Sequence, residues 1–398
     1  MNKIAIITTH PIQYYAPWFR HLAQENEISI KVFYLWNFGI TQQVDQGFKQ
    51  SIQWDIPLLS GYDYEFVPNQ SSNPGTHHFW GFKNPSLLSR VASYQPHAIL
   101  LMCYNYASIY NFILRWNTRK IPLIFRGDSH RLLPRTGIKE WSRRQFISLI
   151  YRRFSACLYV GKANYDYYYY HGVSAQNLFF SPHAVDNDRF LSQTQEAMKQ
   201  AKLWKQELKV PEDHAVILFA GKFEQKKRPL DLLQAFIQSN LPKVSLLFVG
   251  AGSLENELRS QAANYPSIYF APFQNQSQMP RTYAIADVVV LPSYGAWETW
   301  GLAINEAMCL SRPVIASDHV GCAQDLIHPN RNGLVFPAGN ISALANCLQQ
   351  AFSNREQLTK WGEESRKIIM NYSYIQATQG LRDAINYLNG SVNFSEKI

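Results

Sequence analysis

Apolar residues in this chain gather into short runs separated by stretches of helical spacing. Lys3–Thr8, Ile28–Leu35, Ala98–Cys103, Leu123–Arg126, Cys157–Val160 and Leu178–Phe180 are β-branched or aromatic runs that read as buried strands. The alternation restarts at Val216–Ala220 and continues through Ser245–Val249, Ile268–Ala271, Val288–Leu291, Val314–Ala316 and Gly333–Phe336. Strand and helix in alternation predict a mostly parallel sheet covered on both faces. Two such series predict two doubly wound α/β domains, 1–190 and 213–371, joined by a polar helical linker at 191–212. Between the second and third strong strands lies a polar and aromatic stretch, Trp36 to Gly81, with one weak strand near Tyr64–Val67. A connection this long inside a compact domain is expected to be functional or mobile.

Within the second series, residues 287–317 carry the densest chemistry. Val288–Leu291 ends at Pro292, a polar loop follows, and the apolar pattern Leu302, Ile304, Ala307, Met308, Leu310 predicts a helix with Thr299 as its N-cap. Glu298 sits in the loop and Glu306 about two turns inside the helix, roughly 80° apart around its axis. Between them the first amides, near Trp300, Gly301 and Leu302, lack helical partners and attract an anion. A carboxylate on either side can accept hydrogen bonds from sugar hydroxyls. The pattern suits a diphosphate with a sugar at each end.

Glu298, seven residues, then Glu306-Ala307-Met308 resembles the paired-glutamate motif of the retaining family-4 glycosyltransferases with the GT-B fold, two Rossmann-like domains facing across a cleft. The resemblance implies a metal-independent transfer of a hexosyl group from a UDP-sugar to an acceptor hydroxyl, with no cofactor beyond that co-substrate. It extends to Gly221-Lys222 and Lys227, which align with the family's Gly-Arg…Lys phosphate clamp, with lysine where arginine is usual. It also covers Phe270-Ala271-Pro272-Phe273-Gln274, whose Phe273 and Gln274 would lie beside the base. By the same token Glu306 would hold the ribose and Glu298 the sugar hydroxyls. Lys222, Lys227 and the amides of Gly301 and Leu302 would hold the diphosphate. In this fold the final helix, within 372–398, crosses back onto the first domain.

Val249-Gly250-Ala251-Gly252 lacks the third glycine of a dinucleotide fingerprint, because Glu255 stands there, which argues against a nicotinamide cofactor. Asp186-x-Asp188 has a metal-pair spacing, but such pairs are usually solvated turns, and no metal is expected.

The first domain departs from the family. Its opening loop, Thr9-His10-Pro11-Ile12-Gln13-Tyr14-Tyr15, has no glycine pair, and His10 is left as an acceptor-side candidate. After Leu123–Arg126 the family's usual histidine is replaced by Asp128, with His130 two residues on; either could orient an acceptor. That acceptor is left open among a glycan, a lipid-linked sugar and a small molecule.

Composition narrows the class. At 398 residues, 46% hydrophobic and 14% aromatic, the chain can bury two cores. Its five cysteines lack the spacing of a disulfide framework or a zinc site. No run is long enough to span a bilayer, and the opening apolar run is too short for a signal peptide, so the expected setting is cytoplasmic. The net charge of +9 is lopsided: residues 1–190 hold 19 Lys/Arg against 11 Asp/Glu, which points to an anionic partner for that half. No nucleic-acid motif is present. Ile138–Phe154 mixes Lys139, Arg143, Arg144, Arg152 and Arg153 with Trp141, Phe146 and Leu149. It reads either as a helix covering the sheet or as a contact with an anionic membrane. An epimerase of the same fold, a phosphorylase, or a non-catalytic carbohydrate-binding relative remain alternatives to the transferase.

Overall fold

The computed structural model describes residues 1–40, 43–45, 47, 50–134 and 136–395. The strands, in chain order, begin with β1 (Asn2–Thr8), β2 (Ile28–Tyr34) and a hairpin of β3 (Gln43–Asp45) with β4 (Gln50–Ile52). There follow β5 (Asp63–Phe66), β6 (Ala98–Leu101), β7 (Leu123–Arg126), β8 (Ala156–Tyr159) and β9 (Leu178–Phe180). The second series is β10 (Ala215–Ala220), β11 (Val244–Val249), β12 (Ile268–Ala271), β13 (Val288–Leu291), β14 (Val314–Ser317) and β15 (Gly333–Phe336). They form two sheets, β5-β2-β1-β6-β7-β8-β9 and β12-β11-β10-β13-β14-β15. Every pairing within these sheets is parallel.

Each sheet reverses its order of growth once, between β1 and β6 and between β10 and β13. Crevices at such switch points, beyond the carboxyl ends of the strands, are where doubly wound sheets bind ligands. The all-apolar strands fit this burial: Ala98–Leu101 and Val288–Leu291 are covered along their whole length, as parallel strands with helices on both faces must be.

The stretch at 191–212 is helical but belongs to the second domain's packing. In the helix Thr194–Glu207, Ala197, Ala201 and Trp204 are buried with Val216, Leu218 and Tyr283. The last described helix, Tyr374–Ser395, lays Ala377, Leu381, Ala384 and Ile385 against Ile4, Ile6 and Leu158 of the first sheet. Residues 396–398 of the expected 372–398 helix lie outside the described residues. Two expectations need correction. The hairpin β3–β4 appears within the stretch read as irregular. The helix after β13 begins at Leu302 with Gly301 as its cap, not Thr299. Gly301 stands at φ 105°, where a Cβ would be strained and would press to 2.8 Å of Val320 and 3.0 Å of Leu291, so only glycine fits comfortably.

Candidate active site

The two switch points face one cavity of about 380 Å³. Loops following β1, β7, β9, β10, β12 and β13 line it, together with the end of β11. Sequence distance is large but the topology brings these loops to one place.

On the second-domain side, Gly221, Lys222 and Lys227 from the loop after β10 border the cavity. That loop is seated by close backbone packing: a Cβ on Gly250 would collide with the Gly221 carbonyl. Opposite stand Glu298, Trp300, Gly301 and Leu302, where the helix Leu302–Cys309 begins. Lys227 Nζ donates to Glu298 Oε2, which also accepts from Ser293 Oγ at 2.8 Å. Both lysines therefore border the same space as the helix start, and one of them is ion-paired with the loop carboxylate.

Glu306 is 2% exposed. Tyr283 donates its hydroxyl to Glu306 Oε2 at 2.7 Å, while no donor reaches the buried Oε1 among the described residues. Burial pushes this carboxyl up to about 7, against the pull of the Tyr283 hydrogen bond and the Arg189 charge. A buried carboxylate oxygen without a full hydrogen bond is costly; Tyr14 and Gln276, which also line the cavity, are the neighbouring side chains that add to the pull on this carboxyl. Phe273 and Gln274 complete this end. The Gln274 side chain is held locally, donating to Pro272 O and accepting from Arg281, at 2.9 and 3.0 Å.

The first-domain wall holds Ile12, Gln13, Tyr14, Tyr15, Asp128 and His183. Asp128 accepts from Thr299 Oγ1 at 2.7 Å across the domain boundary and lies 3.4 Å from His183 Nε2. Burial raises its pKa, but the His183 and Thr299 hydrogen bonds and the Arg126 charge outweigh it and bring the carboxyl down to about 2. The Thr299 hydroxyl thus ties the domains together instead of capping a helix.

The two acceptor-side histidines do not border the cavity. His10 packs edge-on against Trp36 and Phe38 with its Nδ1 3.0 Å from Thr9 Oγ1, and burial lowers its pKa to about 4. His130 accepts from Leu132 N at 3.3 Å and faces the backbone of Glu298. The metal-like pair is explained locally, since Asp186 caps the helix Asn187–Ser192 by accepting from Arg189 N.

Three contributors escaped the sequence reading. Trp54, just beyond β4, reaches the cavity with its ring 6.4 Å from that of Phe273. Beside it Asp55 accepts from Ser277, and Asn275 donates to Gln53 O at 2.7 Å, so residues 53–55 clasp the second domain. His183 stacks on Tyr15 at 6.1 Å. Tyr283, which orients Glu306, sits in the helix Met279–Ala284 and carried no motif.

Residues 200–368 match the family model described as Glycosyl transferases group 1. This domain is a group 1 glycosyltransferase domain. The phosphatidyl-myo-inositol mannosyltransferase of Mycobacterium leprae is 31% identical over 156 residues, 37% of this chain and 41% of the relative. The O-antigen chain mannosyltransferase C of Escherichia coli is 29% identical over 153 residues, 38% and 40% of the two chains. The matched stretches thus span under half the length of these relatives. Solved structures extend the likeness in shape to almost the whole chain. The Anabaena protein HepE, crystallised with UDP and glucose, superposes with a TM-score of 0.70 at 16% identity, over 97% of this chain and all of that one. Sucrose-phosphate synthase of Thermosynechococcus elongatus gives 0.70 at 17% identity, over 98% and 100%. The fold is GT-B.

Proposed function

We propose that this chain is a retaining, metal-independent glycosyltransferase that moves a hexosyl group from a UDP-sugar to an acceptor hydroxyl. The observation that carries the reading is the cavity between the domains. There two carboxylates, Glu298 and Glu306, flank a helix start with Lys222 and Lys227 across from it. In this reading Glu306 Oε1 takes the ribose hydroxyls, and the base lies by Phe273 and Trp54. The diphosphate rests on the amides of Gly301 and Leu302, and Glu298 receives the sugar hydroxyls. The HepE complex with UDP and glucose is in keeping with a UDP-sugar donor.

The chemistry follows from where charge develops. As the bond from C1 to the diphosphate oxygen breaks, negative charge grows on the leaving group. Lys222, Lys227 and the helix start stabilise it more than they do the intact donor. The oxocarbenium-like carbon is attacked on the leaving-group face by the acceptor hydroxyl, whose proton passes to the departing diphosphate oxygen. Asp128, fixed by His183 and Thr299, bounds the first-domain side where the acceptor enters. The acceptor is a glycan, a lipid-linked sugar or a small molecule.

Calorimetric titration with UDP, followed by a panel of UDP-sugars with and without added acceptor, tests this. UDP binding that Glu306→Ala leaves unchanged removes the ribose role. Nucleotide release that needs no acceptor yet interconverts two sugars favours an epimerase.

A further inference from the structure

The lopsided charge of the first domain has a definite address. Between residues 103 and 161 the chain holds 11 Lys/Arg and only Asp128 and Glu140 as acids. Asp128 is committed to the cleft, and Glu140 is 7% exposed. This segment includes the helices Ala107–Arg115 and Ile138–Tyr151.

The second of these helices has two apolar faces. Ile147, Ile150 and Tyr151 are buried against the sheet, as a covering helix requires. Yet Ile138, Trp141, Phe146 and Leu149 are exposed by 76, 58, 52 and 58%. At 3.6 residues per turn, Ile138, Trp141 and Leu149 fall on the side opposite Ile147. A helix that only covers a sheet should be polar there. The exposed side continues onto neighbouring elements: Phe146, Leu149, Leu114 and Phe79 line a shallow groove of about 660 Å³, with Arg153 at its edge. Trp80, next to Phe79, is 59% exposed. Exposed apolar patches of this kind mark interaction surfaces.

We propose that this face docks on an anionic bilayer surface. Charge chooses the occupant: Lys139, Arg143 and Arg144 are exposed on the same helix as the apolar stripe, and Arg152 is exposed directly after it. Basic side chains flanking Trp, Phe and Leu are what an in-plane interfacial helix needs. A second copy of this chain would set these cations against one another. The helix follows the loop that carries Asp128 and His130, so docking would bring the mouth of the cleft to the lipid headgroups. The inference stands apart from the donor reading, because none of its residues border the cavity.

Cosedimentation of the full chain with vesicles tests it, comparing neutral phosphatidylcholine with a mixture containing phosphatidylglycerol. Binding is expected only to the anionic vesicles, weakening as salt rises. Each cation near such a surface contributes roughly fivefold, so Lys139→Gln with Arg152→Gln should weaken binding roughly 25-fold. Trp141→Ser with Leu149→Ser should abolish it. Circular dichroism spectra and cooperative thermal melts equal to wild type in both variants establish that they are folded. Failure to bind anionic vesicles at low salt overturns the proposal. So does equal binding to neutral ones, or a dimer in light scattering that Trp141→Ser dissociates.

Discussion

Replacing Glu306 by glutamine separates two effects that ordinarily travel together. The side chain is enclosed, and burial moves its carboxyl from the ordinary 4.5 to about 7. Between these values the folded chain holds a proton that the unfolded chain has released. Stability therefore falls as pH rises through this window, and below 4.5 the group contributes no such penalty. At about 1.4 kcal/mol per pH unit, the loss amounts to about 3 kcal/mol once the pH exceeds 7. Glutamine keeps the shape and can still accept from Tyr283 but never ionises. The variant and the wild type should have similar stability near pH 4.5. By pH 8.5 the ligand-free variant should be the more stable by about 3 kcal/mol, a rise of a few degrees in the transition of its domain. UDP should narrow that gap. The ionised Glu306 offers the ribose a charged acceptor, and hydrogen bonds to charged groups are worth about 1.5–3 kcal/mol, so UDP affinity should drop at least about tenfold in the variant. Thermal melts at pH 4.5, 6, 7 and 8.5, with and without UDP, read both effects. A stability difference that does not vary with pH would refute the buried-carboxylate argument. A UDP shift preserved in Glu306→Gln would refute the ribose assignment.

Lys227→Ala should lower turnover by about 100-fold or more, because it removes a cation placed for the leaving diphosphate and also frees Glu298; near-normal product formation would take Lys227 out of the reaction. Gly301→Ala should destabilise the second domain and weaken UDP binding, since φ 105° and the contacts with Val320 and Leu291 leave no place for a methyl group; an unchanged melt and UDP affinity would mean the helix start is not built as described. In a pH profile of UDP binding, Glu306 should contribute a transition near 7 beyond that of the nucleotide's own phosphate, while Asp128 is held down to about 2. Asp128→Asn should leave its midpoint in place, and a displaced midpoint would show that the two carboxylates are coupled. Activity should survive exhaustive chelation; a loss that Mg²⁺ restores would end the metal-free mechanism.

The strands were readable because parallel sheets bury both faces. That requirement writes itself as unbroken runs such as Val288–Leu291 and Leu123–Arg126, and the runs match the observed elements to within two residues. The candidate site on the second domain was readable for a related reason. Gly221, Lys222 and Lys227 follow directly on β10, and Glu298, Gly301 and Leu302 follow β13, so one short stretch of sequence holds each cluster that lines the cavity. The helix boundary was misread because Thr299 has the composition of a cap. In the fold its hydroxyl has a better partner in Asp128, 2.7 Å away, and a glycine in the left-handed region starts the helix instead.

What escaped was whatever depends on two distant pieces of chain meeting. Trp54 lies in a stretch with neither helical nor strand periodicity, and only its approach to Phe273 gives it a place in the cavity. Residues 53–55 and 275–277 carry ordinary polar side chains that acquire meaning as a clasp across the cleft. Asp325 shows the same thing at the opposite edge. It accepts from Lys162 N at 2.9 Å, receiving the start of the helix Lys162–Tyr170 from the other domain, and burial raises its carboxyl to about 6. Thr299 with Asp128, Asp55 with Ser277, and Asp325 with Lys162 thus hold the cleft at three separated points, each through a carboxylate. Such bonds are local in space and remote in sequence, so no motif can announce them. They place the first-domain wall of the cavity under the control of contacts that sequence periodicity does not encode.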